Sequence, residues 1–481
     1  RGRNMRLRLT ALIIFAVLCI FTQNFALAVV EIKEGAMLSL EDCIEIALKN
    51  SPEINISKNN QKIYKSRIGQ AKSDYFPTIG AGGGYYNQNG NTSGNRTLSN
   101  NMDYYSMSAS LNMMFYNFGK TGAKINMQKF YKIASDFDLE NMRISTVYNV
   151  KTAYYGVLAA QANRQVARAN VAMNERTYNQ IKAFFEEGIR SKIDLVNAEV
   201  NLSDAKIELV TAEKAYQTAL VKLNNSMYTA YAPAYSIKNT ESFNFKNNVY
   251  TDVNLVNIAE TKDLSQTPKQ PKNAVFTSSV EKSNILKDYV FKPFDMSFDD
   301  TVKTANEKRP DLKSYESTFK AMEESLKYTK REYFPSLSGR AGYGYRSMDG
   351  NTTNSFNLSA TLETSNINIM NTKCKIDEAK AQLEIARENV NLIKQNIYFE
   401  VQSAYIDMKQ IEERLPLLAV KVRQTLENYE LADGRYEVGV GNYIELQDAK
   451  VNYNNAQQAY VKAIYDYNVA RAALEKAMGE S

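Results

Sequence analysis

The chain has 481 residues, 44% of them apolar and 23% charged, enough for one large ordered domain or two to three ordinary ones. It contains no histidine and no tryptophan, which removes the commonest metal ligand and the usual general base near neutral pH. Of the formal charge of +6, Arg1, Arg3, Arg6 and Arg8 supply four units, so the basic balance is no evidence for nucleic-acid binding.

Those arginines belong to an export leader. Arg6 and Arg8 precede an apolar stretch from Leu12 to Phe21, and Ala26-Leu27-Ala28 supplies the small residues of a cleavage site. Residues 1–28 therefore read as a signal peptide, with Met5 as initiator and residues 1–4 outside the natural start. The apolar stretch is short against roughly 30 Å of hydrocarbon, which favours a leader over an anchor. Cys19 is preceded by Leu18, where a lipid-attachment site needs a small residue. Cys43 and Cys374 lie far apart with no metal-ligand spacing and are read as unpaired thiols.

Beyond the leader the chain repeats itself. Leu38-Ser39-Leu40-Glu41-Asp42 is echoed by Met296-Ser297-Phe298-Asp299-Asp300, Pro52-Glu53 by Pro310-Asp311, and Asp74-Tyr75-Phe76-Pro77 by Glu332-Tyr333-Phe334-Pro335. The offset, 258 from Ser39 to Ser297, falls to 251 after a shorter loop, where Ala153-Tyr154 faces Ala404-Tyr405 and Gly188 faces Gly439. The division is a first repeat over 29–227, a connector over 228–295 and a second repeat over 296–481.

Each repeat opens with a helix that starts on a capping box, Ser39 with Asp42 in the first, and restarts at a proline. Strands follow at about 79–87 and 103–116, then 336–346 and 355–364, with Gln88–Met102 and Ser347–Asn354 as hairpin loops. Alternation places Tyr105, Met107, Ala109, Leu111, Met113 and Phe115 on one face, and Phe356, Leu358, Ala360 and Leu362 on the matching face of the last strand. Such a face covers a core in a soluble sheet or meets lipid in an outer-membrane barrel, and alternation alone does not choose. The flanking sequence offers no second sheet to cover it. Four strands cannot close a barrel with a usable lumen, and an open edge is not tolerated in lipid, so three chains and twelve strands are needed.

Long helices complete each repeat, at about 121–187 and 191–227, then 371–438 and 442–478. The span from Thr121 to Glu187 holds no proline and approaches roughly 100 Å at 1.5 Å per residue. Gly188 ends it, and Ser191 with Asp194 caps the return. Leu195, Leu202, Leu209, Tyr216 and Leu223 interleave with Ala198, Ala205, Ala212 and Ala219. Leu446, Tyr453, Tyr460, Tyr467 and Leu474 interleave likewise with Ala449, Ala456, Ala463, Ala470 and Ala477. These heptads specify antiparallel coiled-coil hairpins, which a structural stalk would share. The connector, with Thr267-Pro268-Lys269-Gln270-Pro271, has no periodicity, and part of it is expected to be mobile.

The opening Leu-Ser-Leu-Glu-Asp with Ser51-Pro52, the Phe-Pro before each strand pair, the tip Tyr436-Glu437-Val438-Gly439 and the duplication together resemble the TolC-like outer-membrane efflux proteins. The resemblance implies a mainly α fold with a small β part. One chain would supply a third of a twelve-stranded outer-membrane barrel and of a periplasmic helical barrel. It implies a homotrimer in outer-membrane lipid that docks a periplasmic adaptor (membrane fusion) protein and an inner-membrane RND- or ABC-type transporter. No cofactor, metal or catalytic residue is implied. Tyr105, Met107, Leu111, Met113, Phe115, Phe356, Leu358 and Leu362 would face lipid. Glu445 and Asp448 fall where the family has an acidic ring at the periplasmic entrance, although both also suit a helix N-terminus. Tyr436 and Asp194 fall where it has a closing latch; the arginine that often completes the latch is replaced by Gly441, and Arg190 stands at the first tip instead. A general porin-like channel and a coiled-coil periplasmic structural or adaptor protein are the alternatives. The first would need more strands in one chain; the second would not need these strands.

Overall fold

A computed structural model describes residues 32–90, 100–238, 294–348, 351–363 and 369–480, with side chains described outside 88–102. The leader, most of the connector and the hairpin tips lie outside these residues. In chain order the elements are β1 (Met37–Leu38), α1 (Leu40–Asn50), α2 (Pro52–Ser73), β2 (Thr78–Gly90), β3 (Asn100–Tyr116), α3 (Lys120–Glu186), α4 (Lys192–Ser226) and β4 (Ser236–Ile237). The second repeat gives α5 (Phe298–Lys308), α6 (Pro310–Lys330), β5 (Ser336–Met348), β6 (Asn351–Glu363), α7 (Ile369–Glu437) and α8 (Tyr443–Met478).

The long helices α3 and α7 run from the sheet to the remote tips. At 67 and 69 residues each extends about 100 Å. Neither has a single partner that long. α3 packs on α2 and α4, and α7 on α6 and α8, so short helices set end to end line each long one. α8 also packs on α3, which joins the repeats along the wall. α7 continues through Pro416.

The heptad seams are buried unequally. In α8 Leu446, Ala449, Tyr453, Ala456, Tyr460, Ala463, Tyr467, Ala470, Leu474 and Ala477 are all buried, because both α3 and α7 cover that helix. In α4 only Ala198, Leu202, Ala205 and Leu223 are. Elsewhere α4 carries Ile193, Val196, Val200, Ile207 and Val210 in the open, and α7 carries Ile385, Leu392, Phe399 and Ile406 at seven-residue spacing. These stripes have the heptad period of a coiled-coil seam, and among the described residues nothing covers them.

Around the middle, β1 and β4 pair in parallel against α3, and the Tyr154 hydroxyl donates to the Lys238 carbonyl. Cys43 is enclosed in the same core, and burial pushes its thiol up to about 12, whereas Cys374 is exposed and both are free. At pH 8 the native protein is therefore expected to alkylate at Cys374 and not at Cys43, because the thiolate is the nucleophile. Peptide mapping after iodoacetamide treatment, with and without denaturant, checks this.

The sheet has the order β2-β3-β5-β6, antiparallel throughout, so the β3–β5 pairing unites the repeats. The register puts Ile79, Leu111, Ala341 and Leu358 in one row and Met107 beside Tyr345 on the same face. On that face Tyr105, Met107, Leu111, Phe115, Phe356, Leu358 and Leu362 are exposed, and Met113 is half-buried. A bulge between Met114 and Tyr116 brings Phe115 over Gly339, where any Cβ would overlap its ring. The strands pair through Gly90↔Asn100 and Met348↔Asn351, so much of the sequence expected as hairpin loop is strand. Its asparagine, serine and glycine content marks solvent exposure, while the ladder itself satisfies the backbone. Aromatic pairs bound the apolar face at both ends, Tyr85–Tyr105 at one and Tyr116–Phe118–Phe334 at the other.

Candidate functional site

The two helical tips lie side by side at the end remote from the sheet. Each turns on a glycine in left-handed conformation, Gly188 at φ +75° and Gly439 at φ +77°, which lets the next amides return to the helix end. Ile189 N donates to Phe184 O at 2.8 Å and Val440 N to Arg435 O at 3.0 Å. The outgoing helices start on side-chain caps. Ser191 Oγ accepts from Asp194 N at 3.3 Å, and Asn442 Oδ1 from Glu445 N at 2.7 Å. Asp194 Oδ2 takes the Ser191 hydroxyl at 3.0 Å instead of a backbone N–H, so only half of the expected capping box forms. The Ser39–Asp42 box is complete.

The tips meet over an aromatic centre. Tyr436 is fully buried, and the Arg190 guanidinium lies 4.5 Å from its ring centroid and donates to its carbonyl at 3.4 Å. Tyr443 packs edge-on at 6.2 Å, and its hydroxyl receives Asn201 Nδ2 at 2.6 Å from α4. Burial raises the Tyr436 hydroxyl above the usual phenol range; Arg190 opposes this, and the nearby Asp194 carboxylate adds to it. The structure thus gathers Arg190, Tyr436 and Asp194, yet the Tyr436 hydroxyl is enclosed and has no hydrogen-bond partner among the described residues. Gly441 lies against the backbone of Arg435 and Tyr436, so a residue with a Cβ would crowd that turn.

Glu445 and Asp448 stand one turn apart on an exposed face of α8. Arg435 Nε lies 3.6 Å from Glu445 Oε1, a partly screened pair. Among the described residues no basic group pairs with Asp448. The face therefore carries one partly offset charge and one free one.

Behind it sits a group that sequence reading passes over. Lys450 is 2% exposed, and its ammonium donates to Thr177 Oγ1 of α3. Burial lowers it to about 8, with Asp433 of α7 opposing the fall and Arg176 of α3 adding to it. Arg176 itself reaches Glu437 at 2.8 Å and Asp433 at 3.9 Å. The one available signal was that Lys450 follows the seam residue Ala449, a flank position that is normally solvated. Farther along, Glu208 of α4 accepts from Asn170 of α3 at 2.8 Å and from Asn454 of α8 at 3.1 Å. Among the described residues no group of three metal-ligating side chains occurs, and no helix is long and apolar enough to cross a membrane.

Known proteins share this architecture. A probable efflux pump outer membrane protein of Pseudomonas putida, TtgC, is 21% identical over 452 residues, covering 92% of this chain and 83% of its own. The solved structure of CusC superposes at a TM-score of 0.72 with 15% identity, over 95% of this chain and 96% of that one. The Campylobacter jejuni CmeC outer membrane channel superposes at 0.71 with 18% identity, over 92% and 85%. The family model for outer membrane efflux proteins matches residues 43–227 and 301–480, one block in each repeat. With that match across most of the chain and a duplicated TolC-like fold, the protein belongs to the outer membrane efflux protein family.

Proposed function

We propose that three copies of this outer-membrane efflux channel close one duct, passively conducting substrate that an inner-membrane RND- or ABC-type transporter delivers through a periplasmic adaptor. The observation that carries the reading is the pair of open edges, β2 and β6, on a sheet with one apolar face. Lipid tolerates no unpaired strand edge. Because strand directions alternate across β2-β3-β5-β6, β6 of one copy meets β2 of the next antiparallel, and the third copy closes twelve strands. Twelve exceed the roughly eight that side chains alone can fill, which leaves a lumen. The aromatic pairs at both ends of the apolar face suit the two lipid interfaces. The uncovered stripes on α4 and α7 supply the seams between copies.

In this reading the leader 1–28 directs export, and the division into repeats over 29–227 and 296–481 around a connector follows from the duplication. Tyr105, Met107, Leu111, Met113, Phe115, Phe356, Leu358 and Leu362 contact lipid. Glu445 and Asp448 from three chains ring the periplasmic entrance, and the Arg190–Tyr436–Asp194 cluster holds the tips together. Arg190, stacked on Tyr436, takes the place of an arginine at 441.

Planar-bilayer recording tests the ring. Glu445→Ala with Asp448→Ala is expected to reduce cation preference and to relieve block by trivalent cations. Asp448→Ala alone should account for more of the change than Glu445→Ala, whose charge Arg435 already offsets. Unchanged selectivity in the double variant removes both residues from the conduction path.

A further inference from the structure

The sheet face opposite the apolar one carries a second charge pattern. Thr78, Ser110, Asn112, Asn357 and Ser359 lie on it, interleaved with glycines in β2 and β5. From the row of Ser338 to that of Met348, its charged residues among those described are Arg340 and Arg346, both exposed. Glu363 closes the face at its periplasmic end, opposite Ser336. Asp103 belongs to the other face by register and accepts Asn87 Nδ2 at 2.7 Å.

Both arginines are held in position by neighbours on the same face. Arg340 donates its Nε to Asn112 Oδ1 of β3 at 2.6 Å, and among the described residues the terminal nitrogens of its fork make no bond. Arg346 lies 4.4 Å from the Tyr104 ring centroid, and Tyr104 stacks on Tyr86 at 5.0 Å and 17°. Glycine at 342 and 344 keeps bulk out of the rows between them. Six positions apart on one strand, the two lie about 20 Å apart along it.

We propose that Arg340 and Arg346, repeated three times, form a two-tier anion-binding ring in the barrel lumen that accepts multivalent phosphate or carboxylate groups. The inference rests on the three-copy duct proposed above. Arginine suits this role because its fork binds phosphate and carboxylate in two-point fashion and stays charged at every working pH. The duct is then bipolar, acidic at the helical entrance and basic in the barrel. Multivalent anions arriving from the barrel side are held there, while multivalent cations are held at the far end.

The test uses the full-length protein in planar bilayers, with sodium tripolyphosphate added to either side and cobalt hexammine as the cationic probe. Tripolyphosphate is expected to block wild-type current from the barrel side. Arg340→Ala with Arg346→Ala should abolish that block and leave cobalt hexammine block from the helical side intact. Arg340→Lys with Arg346→Lys, which keeps the charge, should retain at least part of the block. Should the alanine pair fail to insert, Arg340→Gln with Arg346→Gln reads the same loss. A wild-type channel insensitive to tripolyphosphate, or equal block in wild type and neutral variants, overturns the ring while leaving the duct in place. A wild-type protein that forms no conducting channel overturns the duct and the ring with it.

Discussion

Arg309→Ser is expected to destabilise the second repeat by about 2–4 kcal/mol, although serine is the residue that the first repeat carries at the matching position, Ser51. Arg309 is 8% exposed where α5 turns into α6. It bonds both oxygens of Asp311 at 3.0 and 2.6 Å, Glu400 of α7 at 2.6 Å and the Ala477 carbonyl at the end of α8 at 3.2 Å. Burial works against the charged guanidinium, but the bonds and charges of Asp311 and Glu400 outweigh it and raise its pKa. Removing it strands the largely buried Asp311 carboxylate, a loss of about 3–5 kcal/mol for a buried pair. Glu400 is nearly half exposed, which discounts its share. A serine cap on α6, like the Ser51 cap on α2, returns about 1 kcal/mol.

Chemical denaturation followed by helical circular dichroism measures this, and Asp311→Asn in the Arg309→Ser background should recover part of the loss. A cost below about 1 kcal/mol would show that the cluster is a solvated decoration. The bonds of Arg309 tie the C-terminal end of α8 to the start of α6 and to α7.

How much of this was legible depends on how local each signal is. The heptads of α4 and α8 and the alternation of β3 and β6 are periodic along the chain, so a reader with no structure finds helices, strands and their duplication. The same signals overreach where the environment decides. Gln88 and Asn354 look like loop because their side chains are polar, yet the backbone ladder continues through both. The α4 heptad looks as buried as that of α8, but about half of its seam is only partly covered within the described residues. At the tips, Tyr436, Asp194 and Arg190 came into view through a family resemblance and the repeat register, and their mutual packing depends on the paired turns. Arg340 and Arg346 carry no periodic signal of their own, and only the register shows that no acidic residue shares their rows. Lys450 was invisible for a plain reason: its burial is produced jointly by its hairpin partner α7 and by α3, whose Thr177 lies 273 positions away in the chain.

Lys450→Met is expected to stabilise the tip by about 2 kcal/mol near pH 7 and to flatten the pH dependence of stability above pH 8. The ammonium sits in the α3–α7–α8 junction and donates to Thr177, and among the described residues no carboxylate lies within ion-pair distance of it. Its pKa falls from an ordinary 10.5 to about 8 in the folded protein. Between those values the unfolded chain binds more protons than the folded one, so stability rises with pH across that window. Below pH 8 the full cost of holding the charge applies, roughly 3 kcal/mol for a shift of that size. Methionine of similar length fills the space without the charge. The lost bond to Thr177 costs about 1 kcal/mol or less, because the Thr177 hydroxyl still donates to the Met173 carbonyl at 3.0 Å. Arg176 and Glu437 remain paired across the same seam. Thermal melts from pH 7 to 8.5 should show a rising midpoint for the wild type and a nearly flat, higher one for the variant; above pH 9 the Cys43 thiol, pushed up to about 12 by burial, lowers the stability of both. A variant that melts below the wild type at pH 7, or keeps its pH slope, would show that Lys450 finds compensation elsewhere.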